Sequence, residues 1–254
     1  MKPRTWKGIV ALMLVFMSVS STMRGGERGP GAFPGDNAFR DMDYGAAMRA
    51  YDSVIAVQPN NAQAFWRLAR VQVCIGDTVP HSDQEVYYRS AVDFAEKCIA
   101  ADSTIAEGHS WLAAALGNVA MFEGSRRKVQ LCDTIKHELD LALQLNPGDD
   151  LAYSILGSFY RALGNVSWIE RTLANLLYGS LPPGGFAEGE TALKKAIAIA
   201  PDVMRHHYEL GRLYRDWGKE SEAAVQFKIA AQCPVLLVRD RRTMERARKE
   251  SSRQ

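Results

Sequence analysis

The chain has 254 residues, of which 47% are hydrophobic and 24% are charged, and its formal net charge is +2 at pH 7. This is the composition of an ordinary globular protein, long enough for one large domain or two small ones. A charge so close to neutral gives no indication of a nucleic-acid partner, and we expect none.

Residues 1–21 have the composition of a secretory signal peptide. Lys2, Arg4 and Lys7 precede an apolar run over residues 8–19, and small residues follow it. The pattern predicts export, with the segment either cleaved or kept as an anchor in the inner membrane, although the run is short for a span of roughly 20 residues. Cleavage would remove three positive charges and no negative ones, and would take the net charge from +2 to −1. We therefore expect a periplasmic or extracellular protein that contacts a membrane only if this segment is uncleaved.

Residues 22–36 contain five glycines and two prolines, which predicts a flexible leader. From residue 37 to residue 236, helix-favouring residues dominate and strand-like alternation is absent, so this range is predicted to be one helical domain. Residues 237–254 predict a last, basic helix with a frayed tail. It serves either as the polar cap that the end of a solenoid requires or as a basic docking tail.

A spacing recurs along the helical domain and predicts five two-helix units. The clearest repeat relates the first helices of the last two units: Tyr153, Leu156, Gly157 and Tyr160 match His207, Leu210, Gly211 and Tyr214. Small residues in this pattern allow two helix backbones to approach closely, and large ones fill the space between successive pairs. Prolines at 59, 147 and 201 are expected to end second helices. Insertions lengthen three units around residues 77–85, 118–128 and 166–178, and the last of these predicts an extra amphipathic helix.

This pattern resembles the tetratricopeptide repeat, whose period is about 34 residues. Further stretches are similar to the regulator of microtubule dynamics family and its bacterial relatives over roughly residues 38–248: Trp66 to Arg70, His109 to Ala113, Lys128 to His137, Leu141 to Pro147, Leu156-Gly157, Trp168 to Arg171, and Leu181-Pro182. The resemblance implies an all-α solenoid of helical hairpins, a right-handed superhelix. In its eukaryotic members it implies association with microtubules or organelle membranes. From it we take the fold and a binding role.

The sequence gives no signature of a catalytic or metal site, and we predict no enzyme activity, no metal and no cofactor. The four cysteines, Cys74, Cys98, Cys132 and Cys233, fall inside helical patterns without a metal-binding spacing. They either pack as small residues in helix interfaces or, in an exported protein, form disulfides. An enzyme would need an unrecognised catalytic cluster in the inserted segments.

The candidate binding site is the concave groove lined by the first helix of each pair. The repeat spacing places seven residues there: Trp66, Arg70, Arg161, Arg205, Tyr208, Arg212 and Arg215. The last four form one helical stripe that could clamp a carboxylate or an acidic peptide through bidentate hydrogen bonds. The alternative is that these arginines solvate the helix and pair with Glu209 or Asp216, and that Trp66 belongs to the core. We expect a non-catalytic scaffold for a protein or peptide partner, or else a self-associating envelope assembly factor.

Overall fold

The structure is a computed structural model that describes residues 32–177 and 179–252. The expected signal peptide, 1–21, and residues 22–31 of the leader lie outside the described residues. Within the described ranges there are twelve α-helices and a 3-10 turn over Ala120–Phe122, and there is no strand. The helices are α1 (Asp36–Arg40), α2 (Tyr44–Val57), α3 (Ala62–Gly76), α4 (His81–Ala101), α5 (Ala106–Val119), α6 (Ser125–Leu145), α7 (Asp150–Gly164), α8 (Trp168–Leu177), α9 (Phe186–Ile199), α10 (Met204–Asp216), α11 (Glu220–Ala230) and α12 (Asp240–Ser251).

The helices pack as successive hairpins. The pairs are α3 with α4, α5 with α6, α7 with α9, and α10 with α11. Helix α2 precedes them as a second helix and packs on α1 and α3. First helices also contact the first helix of the next pair, from α3 through α5 and α7 to α10. The helices α2, α6 and α9 end two residues before their prolines, as predicted. The predicted all-α solenoid of helical hairpins is therefore the observed architecture.

Small residues in the first helices allow this close packing. A methyl group at Gly157 would overlap the side chain of Leu193, and one at Gly211 would lie 2.8 Å from the ring of Phe227. Leu193 and Phe227 are buried and belong to the same core cluster as Leu210. The spacing of Gly157 and Gly211 therefore marks where the second helix of each pair presses its large side chain against the first.

Two histidines at equivalent repeat positions make equivalent hydrogen bonds. The Nε2 atom of His109 lies 3.0 Å from the carbonyl oxygen of Ser103, and that of His207 lies 2.9 Å from the carbonyl oxygen of Pro201. Their Nδ1 atoms contact the second helix of the pair, through Glu138 for the first histidine. Both side chains are buried, and each histidine also ties its helix to the preceding turn.

The C-terminal segment closes the solenoid on itself. Val238 N donates a hydrogen bond to the hydroxyl of Tyr44 over 3.1 Å, and Leu237 packs against the core cluster of α1 to α3. Arg239 forms an ion pair with Asp77, which lies just after α3. We call residues 234–239 the strap, because they cross from the last pair of helices to the first.

Both boundaries of the helical domain differ from the expected ones. Phe33, expected in the flexible leader, packs 6.1 Å from the ring of Tyr51, and Asp36 already begins α1. The last helix begins at Asp240 rather than at residue 237, because the backbone N–H groups of Leu236 and Leu237 donate to the Asp240 carboxylate. The helix itself packs on α10 and α11 at the end of the solenoid. None of the described helices has both the length and the hydrophobicity that crossing a membrane requires.

Candidate functional site

The inner face of the solenoid contains a cleft of about 920 Å³. Its walls come from α1, from the first helices α3, α5, α7 and α10, and from the strap, which covers one side. Five arginines reach it, together with three aspartates: Arg40, Arg67, Arg70, Arg205 and Arg239, and Asp36, Asp150 and Asp240. The volume lies in the range of ligand-binding clefts, and the charge of the lining is positive.

One part of the cleft holds a compact ion-pair cluster. Arg67 contacts the Asp36 carboxylate over 2.9 Å and Arg70 contacts it over 3.1 Å, while Tyr51 donates its hydroxyl hydrogen to the same group over 2.7 Å. Burial alone would raise the pKa of Asp36, but the hydrogen bonds from Arg67 and Tyr51 and the charges of both arginines outweigh it and lower the pKa. The Arg70 guanidinium also lies 3.7 Å from the ring centre of Phe39. This cluster fixes α1 on α3, and in it two guanidinium groups share one carboxylate.

The other part of the cleft contains a guanidinium without a partner. Arg205 makes no hydrogen bond and no ion pair with any described residue, and its Nε atom is fully buried. Burial, and then the positive charge of the neighbouring Arg239, lowers the pKa of Arg205. The Arg239 charge itself is neutralised by Asp77, since that carboxylate raises the pKa of Arg239. An arginine stays charged in such surroundings, so Arg205 brings to the cleft a positive charge that Glu209 and Asp77 offset only through space, without a hydrogen bond.

His206, the residue after this arginine, predicts a pH dependence of stability. Its side chain is buried, with Nε2 2.8 Å from Asp150. Burial lowers its pKa below 6.5, although Asp150 opposes the shift. Because the unfolded chain binds the proton more readily than the folded one, stability should fall as the pH drops below about 6.5. We expect the free energy of unfolding to decrease from pH 7 to pH 5.

Urea denaturation across this pH range tests the dependence. The His206→Gln variant should flatten the profile, because it removes a group whose pKa is lower in the folded chain than in the unfolded one. His81→Gln, at an exposed position in the first turn of α4, is the matched control and should leave the profile unchanged. A wild-type stability that rises on acidification from pH 7 would contradict the assignment.

The seven predicted groove residues do not lie together. Arg70 and Arg205 line the cleft, whereas Trp66 is buried beneath the guanidinium of Arg67, 4.1 Å from it, and belongs to the core. This agrees with the alternative that assigned Trp66 to the core. Tyr208 packs on Phe227 with ring centres 5.6 Å apart.

The remaining three predicted arginines are paired with carboxylates of the chain. Arg161 contacts Asp216 over 2.6 Å and Arg212 contacts Glu209 over 3.1 Å. Burial would raise the pKa of Glu209, but the charges of Arg212, Arg205 and Arg161 lower it. Arg215 contacts Glu250 of the last helix over 2.7 Å, so that helix lies over this end of the stripe. Of these contacts, only that of Arg212 with Glu209 is a pairing that the alternative named, and a binding role for the three arginines stays a prediction.

Three arginines of the cleft were not among the predicted residues: Arg40, Arg67 and Arg239. Arg67 directly follows Trp66 on a first helix. Considering the residues adjacent to Trp66 on that helix would therefore have included Arg67. Arg239 was assigned to the basic last helix. Nothing in the local sequence indicates that it folds back onto Asp77, 162 residues earlier.

The described residues hold no reactive thiol and no metal cluster. All four cysteines are free, and three of them, Cys74, Cys98 and Cys233, are buried in helix packing. Cys74 lines the cleft, but burial raises the pKa of its thiol to about 11, so it stays protonated and unreactive near neutral pH. Across residues 32–177 and 179–252 no three His, Cys, Asp or Glu side chains are grouped so that they could hold a metal ion.

Comparisons with known proteins agree with this architecture. The family model described as regulator of microtubule dynamics protein 1-3 matches residues 35–253. Regulator of microtubule dynamics protein 3 of Xenopus laevis is 28% identical over 187 residues, which are 72% of this chain and 40% of that protein. Regulator of microtubule dynamics protein 1 of Bos taurus is 22% identical over 193 residues, which are 75% of this chain and 61% of that protein. The chain therefore spans less than two thirds of the length of these relatives.

A solved structure confirms the predicted fold. A thermophilic tetratricopeptide repeat protein of Thermus thermophilus superposes with a TM-score of 0.63 at 20% identity, covering 85% of this chain and 94% of that one. Its similarity shows the fold alone, a tetratricopeptide-type solenoid. Since the family model matches nearly all of the helical domain, the chain belongs to the regulator of microtubule dynamics protein 1-3 family.

Proposed function

We propose that the protein is a non-catalytic interaction module that binds an acidic group of a protein or peptide partner in the inner cleft. The tetratricopeptide-type fold supports a role as an interaction scaffold. One observation carries the finer proposal: Arg205 presents a charged guanidinium to the cleft without a hydrogen bond or an ion pair in the described part of the chain. A buried unpaired charge is costly, so a protein that keeps one gains most when a ligand neutralises it.

The cleft suits an acidic group better than a basic or an apolar one. Arg67 and Arg70 share the single carboxylate of Asp36, and Arg239 is neutralised by Asp77, so added negative charge meets Arg205 without displacing an existing pair. A guanidinium recognises a carboxylate through two parallel hydrogen bonds. Because the walls are packed helices, the site is already formed before the ligand binds, and little ordering cost opposes binding.

The variant Arg205→Met tests the cleft. A charge-assisted hydrogen bond contributes about 1.5–3 kcal/mol, so binding of a fluorescent peptide ending in two glutamates should weaken by roughly tenfold or more. Stability should not fall, since methionine keeps the bulk of the chain and Arg205 forms no hydrogen bond or ion pair within the described residues. Fluorescence anisotropy gives the affinity, and thermal unfolding gives the stability.

A second variant tests whether the ligand binds in the cleft or on the stripe of arginines that the sequence predicts. Arg212→Ala with Arg215→Ala removes two arginines that already have partners, Glu209 and Glu250. We expect this double variant to bind the acidic peptide as the wild type does. If it loses binding while Arg205→Met keeps it, the ligand lies on the stripe and the cleft is not the site. If neither change affects binding, the acidic-ligand proposal is wrong.

Export remains part of this proposal. It rests on the composition of residues 1–21 and on no structural observation. N-terminal sequencing of the protein purified from its own cell envelope distinguishes a cleaved signal from an uncleaved anchor. A starting residue of Met1 in a cytoplasmic fraction would contradict export.

A further inference from the structure

Helix α8 turns its apolar face toward the solvent. Five large apolar side chains along one side of this ten-residue helix are between 49% and 79% exposed: Trp168, Ile169, Leu173, Leu176 and Leu177. At about 100° per residue they span half of the helix circumference. A surface helix of a globular protein normally packs this face inward and exposes its polar face. The orientation of α8 is therefore the reverse of the usual one.

The polar face holds the helix in this orientation. Arg171 donates hydrogen bonds to the carbonyl oxygens of Pro182, over 3.1 Å, and of Leu163, over 3.3 Å. The side-chain oxygen of Asn175 accepts a hydrogen bond from the backbone N–H of Leu181 over 3.0 Å. These hydrogen bonds attach the polar face of α8 to the rest of the protein. The apolar face is therefore held toward the solvent. An exposed apolar face of this size usually marks an interaction surface.

A basic cluster lies at the same end of the molecule. Arg126, Arg127 and Lys128 are exposed in the first turn of α6, and α8 contacts α6. Helix α7 returns alongside α6 after a short turn, so α8, which follows α7 and contacts α6, lies beside the N-terminal half of α6. None of the three basic side chains has a hydrogen bond or an ion pair among the described residues. Positive charges at the start of a helix oppose its dipole, so they do not serve the stability of α6.

We propose that α8 and the first turn of α6 form a docking surface for an anionic lipid membrane. Tryptophan and leucine on one face of a short helix insert at the level of the headgroups, and nearby lysines and arginines attract the negative lipids. The helix is too short to cross a bilayer, which agrees with a helix lying in the membrane surface. A protein partner would cover the apolar side chains equally well, but the three unpaired basic residues favour an anionic lipid surface. The surface is separate from the inner cleft, so this proposal does not rest on the proposed function.

Co-sedimentation of the full chain with vesicles tests the proposal. The vesicles contain phosphatidylcholine and phosphatidylserine at roughly 7:3, or phosphatidylcholine alone. We expect binding to the mixed vesicles to weaken by about tenfold or more in Trp168→Ser with Leu176→Ser, and also in Arg126→Glu with Arg127→Glu. All proteins keep residues 1–31, so any contribution of that segment is the same in each sample.

Matched variants remove similar side chains elsewhere. Val57→Ser with Val225→Ser replaces two exposed apolar residues, and Arg246→Glu with Arg248→Glu reverses two exposed charges on α12; both should bind as the wild type does. Acyl chains carrying bromine should quench fluorescence in the wild type more than in Trp168→Phe. The proposal is wrong if the α8 and α6 variants bind these vesicles like the wild type. It is also wrong if sedimentation shows a dimer that only the α8 variants dissociate, because a second copy would then cover the face.

Discussion

Asp77→Asn is expected to lower the free energy of unfolding by about 2–4 kcal/mol, because it leaves the guanidinium of Arg239 without its carboxylate. Both side chains are largely shielded, with 16% and 18% of their surface exposed, so the cost lies somewhat below that of a fully buried pair. Asp77 also accepts a hydrogen bond from the Tyr88 hydroxyl over 2.9 Å, and its backbone oxygen accepts one from Arg242. Losing the carboxylate should therefore loosen the strap from the first helices as well as destabilise the fold.

Urea denaturation of the variant and of Asp93→Asn measures this effect. Asp93 is exposed on α4, and its change should alter stability by less than about 0.5 kcal/mol. Limited proteolysis adds a local readout, because a loosened strap should be cleaved within residues 234–239 before the helices. If both variants were equally stable and equally resistant to protease, the pair of Asp77 and Arg239 would not hold the strap.

Leu193→Ala should cost about 2–5 kcal/mol, since it opens a cavity where α9 packs between α7 and α10. Leu193 is fully buried and lies in one cluster with Leu210, Leu213 and Phe227. Leu176→Ala, at a position 78% exposed on α8, is the matched control and should change stability by less than about 0.5 kcal/mol. Equal effects of the two substitutions would contradict the packing of the hairpin formed by α7 and α9.

A double-mutant cycle of Gly157 and Leu193 tests the same packing directly. Gly157→Ala alone should cost about 1–3 kcal/mol, because its methyl group would overlap Leu193. In the Leu193→Ala background the same methyl group has space, so the double variant should be more stable than the sum of the two single costs implies. If the two costs were simply additive, the methyl group at position 157 and the side chain of Leu193 would not be in contact. The measurement is the free energy of unfolding of all four proteins.

The sequence predicted the hairpins because their signals are local. Gly157 and Gly211 recur at a fixed distance from Leu156 and Leu210, and a proline follows several second helices, so the period of the solenoid is visible without any distant contact. The extra helix in the insertion was visible for the same reason. The exposure of its apolar face could not be predicted, because periodicity shows which residues share a face and not what that face packs against.

The cleft could not be predicted from the period. Two of its walls come from chain that lies outside the repeats, the strap and the short helix α1, and their contacts join residues far apart in sequence. Val238 meets Tyr44 across 194 positions. The repeat spacing predicts Arg205 on the inner face, and Arg205 lines the cleft. The spacing could not show that Arg212 and Arg215 form ion pairs with carboxylates, whereas Arg205 forms none within the described residues.

The exchange rate of one backbone amide tests the closed solenoid most directly. The N–H groups of Leu236 and Leu237 bond to nearby Asp240, so they would be protected even with the strap detached, whereas Val238 N–H bonds to the hydroxyl of Tyr44. Hydrogen exchange followed by NMR should show slow exchange at Val238 in the wild type and faster exchange in Tyr44→Phe, with Leu237 little changed. Exchange of the wild-type Val238 amide at the rate of an unstructured chain would show that the strap does not close the inner face.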